Sequence, residues 1–520
     1  MTPKPPSVLL LMVDQLAASW LPAYGHDVVQ APNMTALSEA GVTFDAAYCA
    51  SPLCAPSRAS LLTGLLPSRT GVYDNAAEMR ASLPTVTHRL RTAGYATTLA
   101  GKMHFVGPDQ LHGFEERLTP DVYPAGLDWT PDWRAPVDER LPWYHTMESV
   151  VRPGVSAASM QVDYDDEVCF HAVRALYDHA RTRRGDPFFL VASFTHPHDP
   201  WELPARWWER YDPAGIDLPA VPAIPWAEAD PHSRRLRAMS RIDAEGLTDA
   251  QIRRARHAYY AAISYVDDRI GQVLGALRES GLEDDTIVLL TADHGEMLGE
   301  RGLWYKMAFF EDAARVPLIV RAPAGLARAG ERVAEPVSLL DVAPTLLDLA
   351  GLDASDLGAI DGRSLAPVLR GEGRRGAPVV AEYLAEGVNA PMVMVRDGAL
   401  KYVRCPGDPD VLYDLDADPR ELRNLADGTD QAAAARVRAE ADRRWDLGRL
   451  EAAILDSQRE RRLVVAGLDR GRHAAWDYVP RPEASMRYVR SKADLYELQR
   501  RSRLDAPDGA DAVESLLDER

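Results

Sequence analysis

Four short apolar runs, at residues 8–13, 95–99, 188–194 and 286–290, constrain this chain more than any other feature. Each is the length of one strand and far too short to span a bilayer. Their near-continuous apolar character, without polar alternation, fits strands covered on both faces. Helical signals lie between them. Asn33 stands where a cap would open a helix that runs through Ala40 and stops at Gly41, and a second pattern runs from Thr85 to Ala93 before Gly94. Thr248-Asp-Ala-Gln251 reads as a capping box opening a long helix that ends near Gly281. Strands alternating with helices predict an α/β domain over residues 1–378, a mostly parallel sheet flanked by helices.

The texture changes near Val379. A hairpin around Asp397-Gly398, a strand at 411–415 and a helical stretch at 431–450 predict a smaller C-terminal α+β domain with an antiparallel sheet, over residues 379–462. Residues 463–520 are charged and poorly periodic, as expected of an extension that docks on a neighbouring subunit. Asp414-Leu-Asp416-Ala-Asp418 has the spacing that opens a calcium loop, but Pro419 intervenes and the loop's glycine is missing, so a surface turn is expected.

The net charge of −19 argues against nucleic acid or an anionic membrane as a partner, and an anionic substrate would need a local cluster of cations. Four scattered cysteines, Cys49, Cys54, Cys169 and Cys405, do not make a disulfide framework or a zinc pattern. The run before Asp14 reads as a buried first strand and not as a secretion signal, so a cytoplasmic protein is expected.

The residues just beyond each apolar run carry the chemistry. Val13 leads to Asp14-Gln15, and Leu99 leads to Gly101-Lys102-Met-His104. Phe194 leads to Thr-His196-Pro-His198-Asp199, and Leu290 to Thr-Ala-Asp293-His294-Gly295. Ligands of open α/β sheets bind beyond the carboxyl ends of the strands. One polar strand end is commonplace; four of them delivering carboxylates, imidazoles and a lysine to one edge point to a site.

Cys54 lies between Pro52 and Pro56, where a loop enters a short helix running to Gly64. Exposed helix N–H groups and the dipole favour an anion there. By itself the residue allows an inert buried cysteine or a catalytic thiolate. The run Cys54-Ala-Pro-Ser-Arg58-Ala-Ser-Leu-Leu-Thr-Gly64, however, resembles the sulfatase signature. That resemblance implies an alkaline-phosphatase-like fold and a cysteine oxidised to formylglycine by a separate modifying enzyme. The hydrated aldehyde is a gem-diol: one hydroxyl attacks sulfur, and the other lets the covalent sulfate adduct collapse.

The same resemblance implies one divalent metal ion held by Asp14, Gln15, residue 54, Asp293 and His294. Gln15 stands where many arylsulfatases carry a second acid, and calcium and manganese both remain open. Arg58, one helical turn past Cys54, and Lys102, His104, His198 and Lys306 match the sulfate-binding and proton-transfer positions. One of His198 and Lys306 is expected to protonate the leaving alcohol, with His196 the alternative histidine of that loop.

Gly-Lys102-Met-His-Phe-Val-Gly-Pro-Asp-Gln-Leu-His-Gly-Phe, Phe-Thr-His-Pro-His198-Asp-Pro and Gly299-Glu-Arg-Gly-Leu-Trp-Tyr-Lys306-Met look like choline-sulfatases, which split choline-O-sulfate into choline and sulfate. A quaternary ammonium donates no hydrogen bond, so aromatic faces and carboxylates must hold it. Trp129, His145 and Glu386 match the choline pocket of that group, and Asp494 is the candidate for a carboxylate that reaches in from a partner subunit's tail. The resemblance therefore also implies a homo-oligomer, a dimer or a tetramer. The Asp14-Gln15 pair and the Cys54 run are shared with phosphonate monoester and phosphodiester hydrolases, which keeps those activities, and a broader alkyl or aryl sulfatase, as alternatives.

Overall fold

The structure is a computed structural model describing residues 5–123, 126–136, 141, 143–242, 246–426 and 431–470. Its main sheet runs in the spatial order Glu331–Val333, Val42–Phe44, Leu318–Arg321, Thr286–Ala292, Ser7–Val13, Phe188–Phe194, Ala96–Gly101, Glu116–Arg117. The four expected strands are its centre, and they are mutually parallel. Ser7–Val13 is wholly buried between two parallel neighbours, with Leu10 in register with Val191 and Leu289. This double covering is why its apolar run shows no alternation. Leu318–Arg321 runs antiparallel to both of its neighbours and makes the sheet mixed.

The helices between the strands start and stop largely as their capping residues dictate. Thr248 Oγ1 accepts from Gln251 N at 3.3 Å while Gln251 Oε1 accepts from Thr248 N at 2.9 Å, opening the helix Asp249–Glu279. Thr85 caps Val86–Thr92 in the same reciprocal way with His88. Asn33 is not a cap. The first helix spans Pro32–Ala40, with Pro32 at its first position, where a missing N–H is no loss. Asn33 Nδ2 instead reaches Asp267 on Asp249–Glu279, donating to its carboxylate at 2.8 Å.

The small sheet is antiparallel and ordered as in the chain: Val379–Tyr383, Met392–Asp397, Leu400–Arg404, Val411–Asp414. Asp397 pairs with Leu400, so the hairpin turns at Gly398-Ala399, one residue later than expected; Gly398 takes φ +58°, where a side chain would be strained. The expected helical stretch divides in two. Gln431–Arg444 lies on the small sheet, with Val437 and Ala441 meeting Val395 and Tyr402. Asp446 then accepts from Arg449 N at 3.0 Å and caps a new helix, Leu447–Leu468, which returns to the turn Leu127–Trp129 of the large domain. That helix runs unbroken through residues 462 and 463. The Asp414 segment is a local turn whose Oδ1 accepts from Asp416 N at 3.1 Å and Ala417 N at 3.2 Å.

Candidate active site

The carboxyl ends of the four central strands converge on Cys54. This residue opens the helix Cys54–Thr63, which is buried along its whole length and closed by Gly64 at φ +68°. No side chain caps the helix at Leu53; Asn75 Oδ1 accepts instead from the first-turn amide Ala55 N at 2.9 Å. Cys54 Sγ, which occupies the place of the formylglycine oxygens, lies 3.1 Å from His294 Nε2, 3.7 Å from Lys102 Nζ and 3.9 Å from Asp14 Oδ1. Burial pushes the thiol up, but Lys102, Lys306 and His294 outweigh it and hold it well below its usual value.

Asp14, Cys54, Asp293 and His294 bring one donor atom each to within 4.8 Å of one another, and all four are buried. Two carboxylates, an imidazole nitrogen and residue 54 form a donor set suited to a hard or borderline divalent cation. Two basic groups now balance those carboxylates: Lys102 pairs with Asp14, and Arg58 meets Asp293 at 2.7 Å and Asp14 at 3.3 Å. Burial and Cys54 push the Asp14 carboxyl up, yet Lys102, His198 and Arg58 keep it below its usual range. Burial would depress His294, but Asp293 and Cys54 raise it. Gln15 adjoins this cluster at Asp293. Its backbone N–H donates to Asp293 Oδ1 at 3.1 Å, while its side-chain amide accepts from Lys306 and donates to Glu296 at 2.6 Å.

Arg58 and His104 lie beside the same cluster. Arg58 Nη1 donates to Ser193 Oγ at 2.9 Å, while its buried Nη2 faces Asp14 Oδ2 at 3.3 Å as an ion pair without a well-aligned hydrogen bond. His104 Nε2 donates to Asn75 O at 3.2 Å, which leaves its buried Nδ1 unpaired. Unsatisfied polar atoms in a buried site are expensive unless a ligand completes them.

Lys306 Nζ lies 2.9 Å from His198 Nε2, and His198 Nδ1 is 2.6 Å from Asp199 O and 3.0 Å from Tyr123 OH. His196 is turned away: its Nδ1 is 2.7 Å from Asp165 and its ring meets Tyr265 edge-on. His145 Nδ1 is 3.4 Å from Asp199 Oδ2, and its ring stacks on Tyr305. Burial depresses His145 to about 4, so it is a neutral aromatic face at neutral pH. Trp129 stacks on Trp143 with centroids 5.7 Å apart. Glu386 is 3% exposed, its Oε2 lacks any partner, and burial pushes its carboxyl up to about 8. Asp494 lies outside the described residues.

Asp199, Glu296, Asn75 and Tyr123 also belong to this arrangement; of these the sequence marked only Asp199, as a strand-end carboxylate without an assigned role. Asp199 and Glu296 sit directly after recognised motifs, in His198-Asp199 and Asp293-His294-Gly-Glu296, and that adjacency was their available signal. Tyr123 lies in a loop with no periodicity or motif to mark it.

Cys54 at a helix start, a cluster of donors that could hold a metal and buried basic side chains lie together at the end of a mixed sheet, and the chain belongs to the sulfatase family. The family pattern matches residues 6–352, the N-sulphoglucosamine sulphohydrolase C-terminal pattern matches 299–444, and the choline sulfatase enzyme C-terminal pattern matches 452–504. The chain is 46% identical to the choline-sulfatase of Rhizobium meliloti strain 1021 over 511 residues, covering 97% of this chain and 99% of that protein. It is 28% identical to the multifunctional alkaline phosphatase superfamily protein PehA of Trinickia caryophylli, covering 86% of this chain and 96% of that one. The phosphonate monoester hydrolase structure from Agrobacterium radiobacter superposes with a TM-score of 0.65 at 26% identity, covering 86% of this chain and 96% of that one. The fold is alkaline-phosphatase-like and the chain is a sulfuric ester hydrolase. Membership implies a divalent metal and a formylglycine derived from cysteine. Among the described residues no helix is long and apolar enough to cross a membrane.

Proposed function

We propose that this chain hydrolyses choline-O-sulfate to choline and inorganic sulfate. The observation that carries the reading is Glu386, a buried carboxylate with an unpaired oxygen, near enough to Cys54 and Lys306 to feel their charges. A carboxylate left without a hydrogen-bond donor suits a ligand that brings charge and no donor, which describes a trimethylammonium group. The neutral His145 ring and the Trp129–Trp143 stack supply aromatic faces of the kind such a group needs.

Asp14, Asp293 and His294 would hold the cation, with Gln15 at its flank; together with formylglycine it supplies a hydroxyl nucleophile at neutral pH. Arg58, Lys102 and His104 bind the sulfate oxygens and stabilise the charge that grows on them in the transition state. Lys306 or His198 places a proton on the leaving oxygen. Asp199 orients both His198 and His145, and so links the leaving-group side to the pocket for the alcohol. Manganese fits the imidazole of the donor set better than calcium does. Residues 1–378, 379–462 and 463–520 are read as catalytic domain, small domain and intersubunit extension, the last bringing Asp494 of one subunit to another's pocket in a dimer or tetramer. Four free, buried cysteines fit a reducing compartment, which supports a cytoplasmic enzyme dependent on a formylglycine-generating partner.

Steady-state rates on choline-O-sulfate, an aryl sulfate and a phosphonate monoester test the reading. The expected order of kcat/KM puts choline-O-sulfate first by at least tenfold. A faster phosphonate monoester would refute the substrate assignment, and a fully active protein carrying unmodified Cys54 by peptide mass spectrometry would refute the nucleophile.

A further inference from the structure

The helix Leu447–Leu468 turns few residues inward: Ile454, Gln458 and Arg461 are its buried side chains. Arg461 is 8% exposed and grips the Asp74 carboxylate with both terminal nitrogens, at 2.6 and 2.7 Å. The same Nη1 donates to Thr130 Oγ1 at 3.2 Å. Thr130 closes the turn that carries Trp129, its hydroxyl donating to Leu127 O at 2.6 Å and its amide at 3.2 Å. Gln458 Oε1 accepts from Trp133 N at 3.0 Å and secures the far end of that segment.

Asp74 leads the other way, toward the nucleophile. Its Oδ1 accepts from Ala76 N at 2.9 Å and shapes the turn that presents Asn75. Asn75 in turn accepts from Ala55 N, next to Cys54, and from His104 Nε2. One guanidinium therefore joins the turn bearing Trp129 to the turn beside Cys54. The planar fork sets two parallel N–H groups on the carboxylate oxygens from two nitrogens and still turns a donor to Thr130, a geometry that the single nitrogen of an ammonium does not reproduce.

We propose that Arg461 is a positioning residue for substrate selection, fixing the Trp129 turn relative to the nucleophile turn so that both ends of one ester are gripped together. The inference rests on the choline-O-sulfate reading. It predicts that Arg461 governs discrimination between esters, through KM, more than turnover itself. A merely structural residue would depress all substrates in parallel.

The test compares kcat and KM for choline-O-sulfate and nitrophenyl sulfate, which lacks the trimethylammonium group, in wild-type enzyme and two variants. Arg461→Lys keeps a positive charge beside Asp74 but loses the fork. Asp74→Asn combined with Arg461→Met removes both charges, so that neither is left buried alone. In both, the ratio of kcat/KM for the two esters should fall at least fivefold, carried by KM for choline-O-sulfate, with kcat on nitrophenyl sulfate within twofold. An unchanged ratio in both variants, including equal losses on both esters, overturns the proposal. If the double variant shows no cooperative melt, Arg461→Lys alone decides. A wild-type enzyme with no preference for choline-O-sulfate overturns the underlying substrate reading, and is seen before any variant is made.

Discussion

Replacing Glu386 by glutamine isolates the charge that the substrate reading depends on. The side chain keeps its volume and its buried position, so the effect on folding is small. Burial raises the carboxyl from 4.5 to about 8, so ionising it at about pH 7 costs about 1.4 kcal/mol. A trimethylammonium about 5 Å away returns about 3 kcal/mol of attraction at an effective dielectric of about 20. The net contribution is about 2 kcal/mol, or about 30-fold in kcat/KM. Glu386→Gln should therefore lose about 30-fold on choline-O-sulfate. On the carbon isostere, in which a tert-butyl group replaces trimethylammonium, it should lose less than threefold. The assay is initial-rate sulfate release from both esters at low salt and fixed pH. Equal losses on the two esters would show that Glu386 acts through shape or packing, and the electrostatic argument would fail.

The same group makes affinity for the cation depend on pH. Its raised value means that the protonated acid stabilises the free fold, a contribution complete below about 4.5 and lost as pH rises through about 8. Choline, which needs the carboxylate, should then shift the melting temperature more at about pH 9 than at about pH 6, and Glu386→Gln should flatten that difference. Dialysis against a chelator should lower kcat at least 100-fold and lower the melting temperature, both restored by divalent metal, because a cation at about a hundred times its Kd adds about 2.7 kcal/mol of stability. Retained activity with no metal by elemental analysis would refute the cation site. Leu10→Ala, at a fully buried position between two strands, should destabilise by about 2–5 kcal/mol in a thermal or urea melt while leaving KM unchanged in the folded fraction.

The centre of the fold was readable because burial on both faces writes itself into composition: 188–194 was read at the bounds it has, and the other three strands to within two residues at each end. The capping box at Thr248 was equally legible, since its chemistry is local. Asn33 misled because its amide finds a partner in Asp267, far away in the chain, and proline had already set the helix start. The break at Trp445 was invisible for a similar reason. Trp445 Nε1 donates to Glu382 at 2.6 Å, a tertiary contact that no helical periodicity records. At the site, the strand-end residues announced themselves, whereas Asn75 and Arg461 act only through partners brought together by the fold. The amide of Gln15 shows the limit most clearly: sequence placed it at the cation, and only the positions of Lys306 and Glu296 reveal where its oxygen and nitrogen point.

The charges also suggest why an acidic chain can handle a sulfate ester. With a net charge of −19, the protein's outer field repels anions, yet Arg58, Lys102 and Lys306 are all buried at the site, an unusual place for such side chains. Each is held by neighbours: Arg58 by Asp14 and Asp293, Lys102 by Asp14, and Lys306 by Gln15 and His198. A polyanionic sulfate ester would have to cross the repelling field to reach them. Choline-O-sulfate carries one charge of each sign and no net charge, so the distant field does not turn it away. In the proposed reading its two ends separate within the pocket, sulfate toward the basic side chains and ammonium toward Glu386. Hydrolysis then splits a neutral zwitterion into an anion and a cation, and the outer field favours departure of the sulfate. The acidic surface and the basic centre are thus complementary parts of one selection, which favours a zwitterionic ester over a purely anionic one.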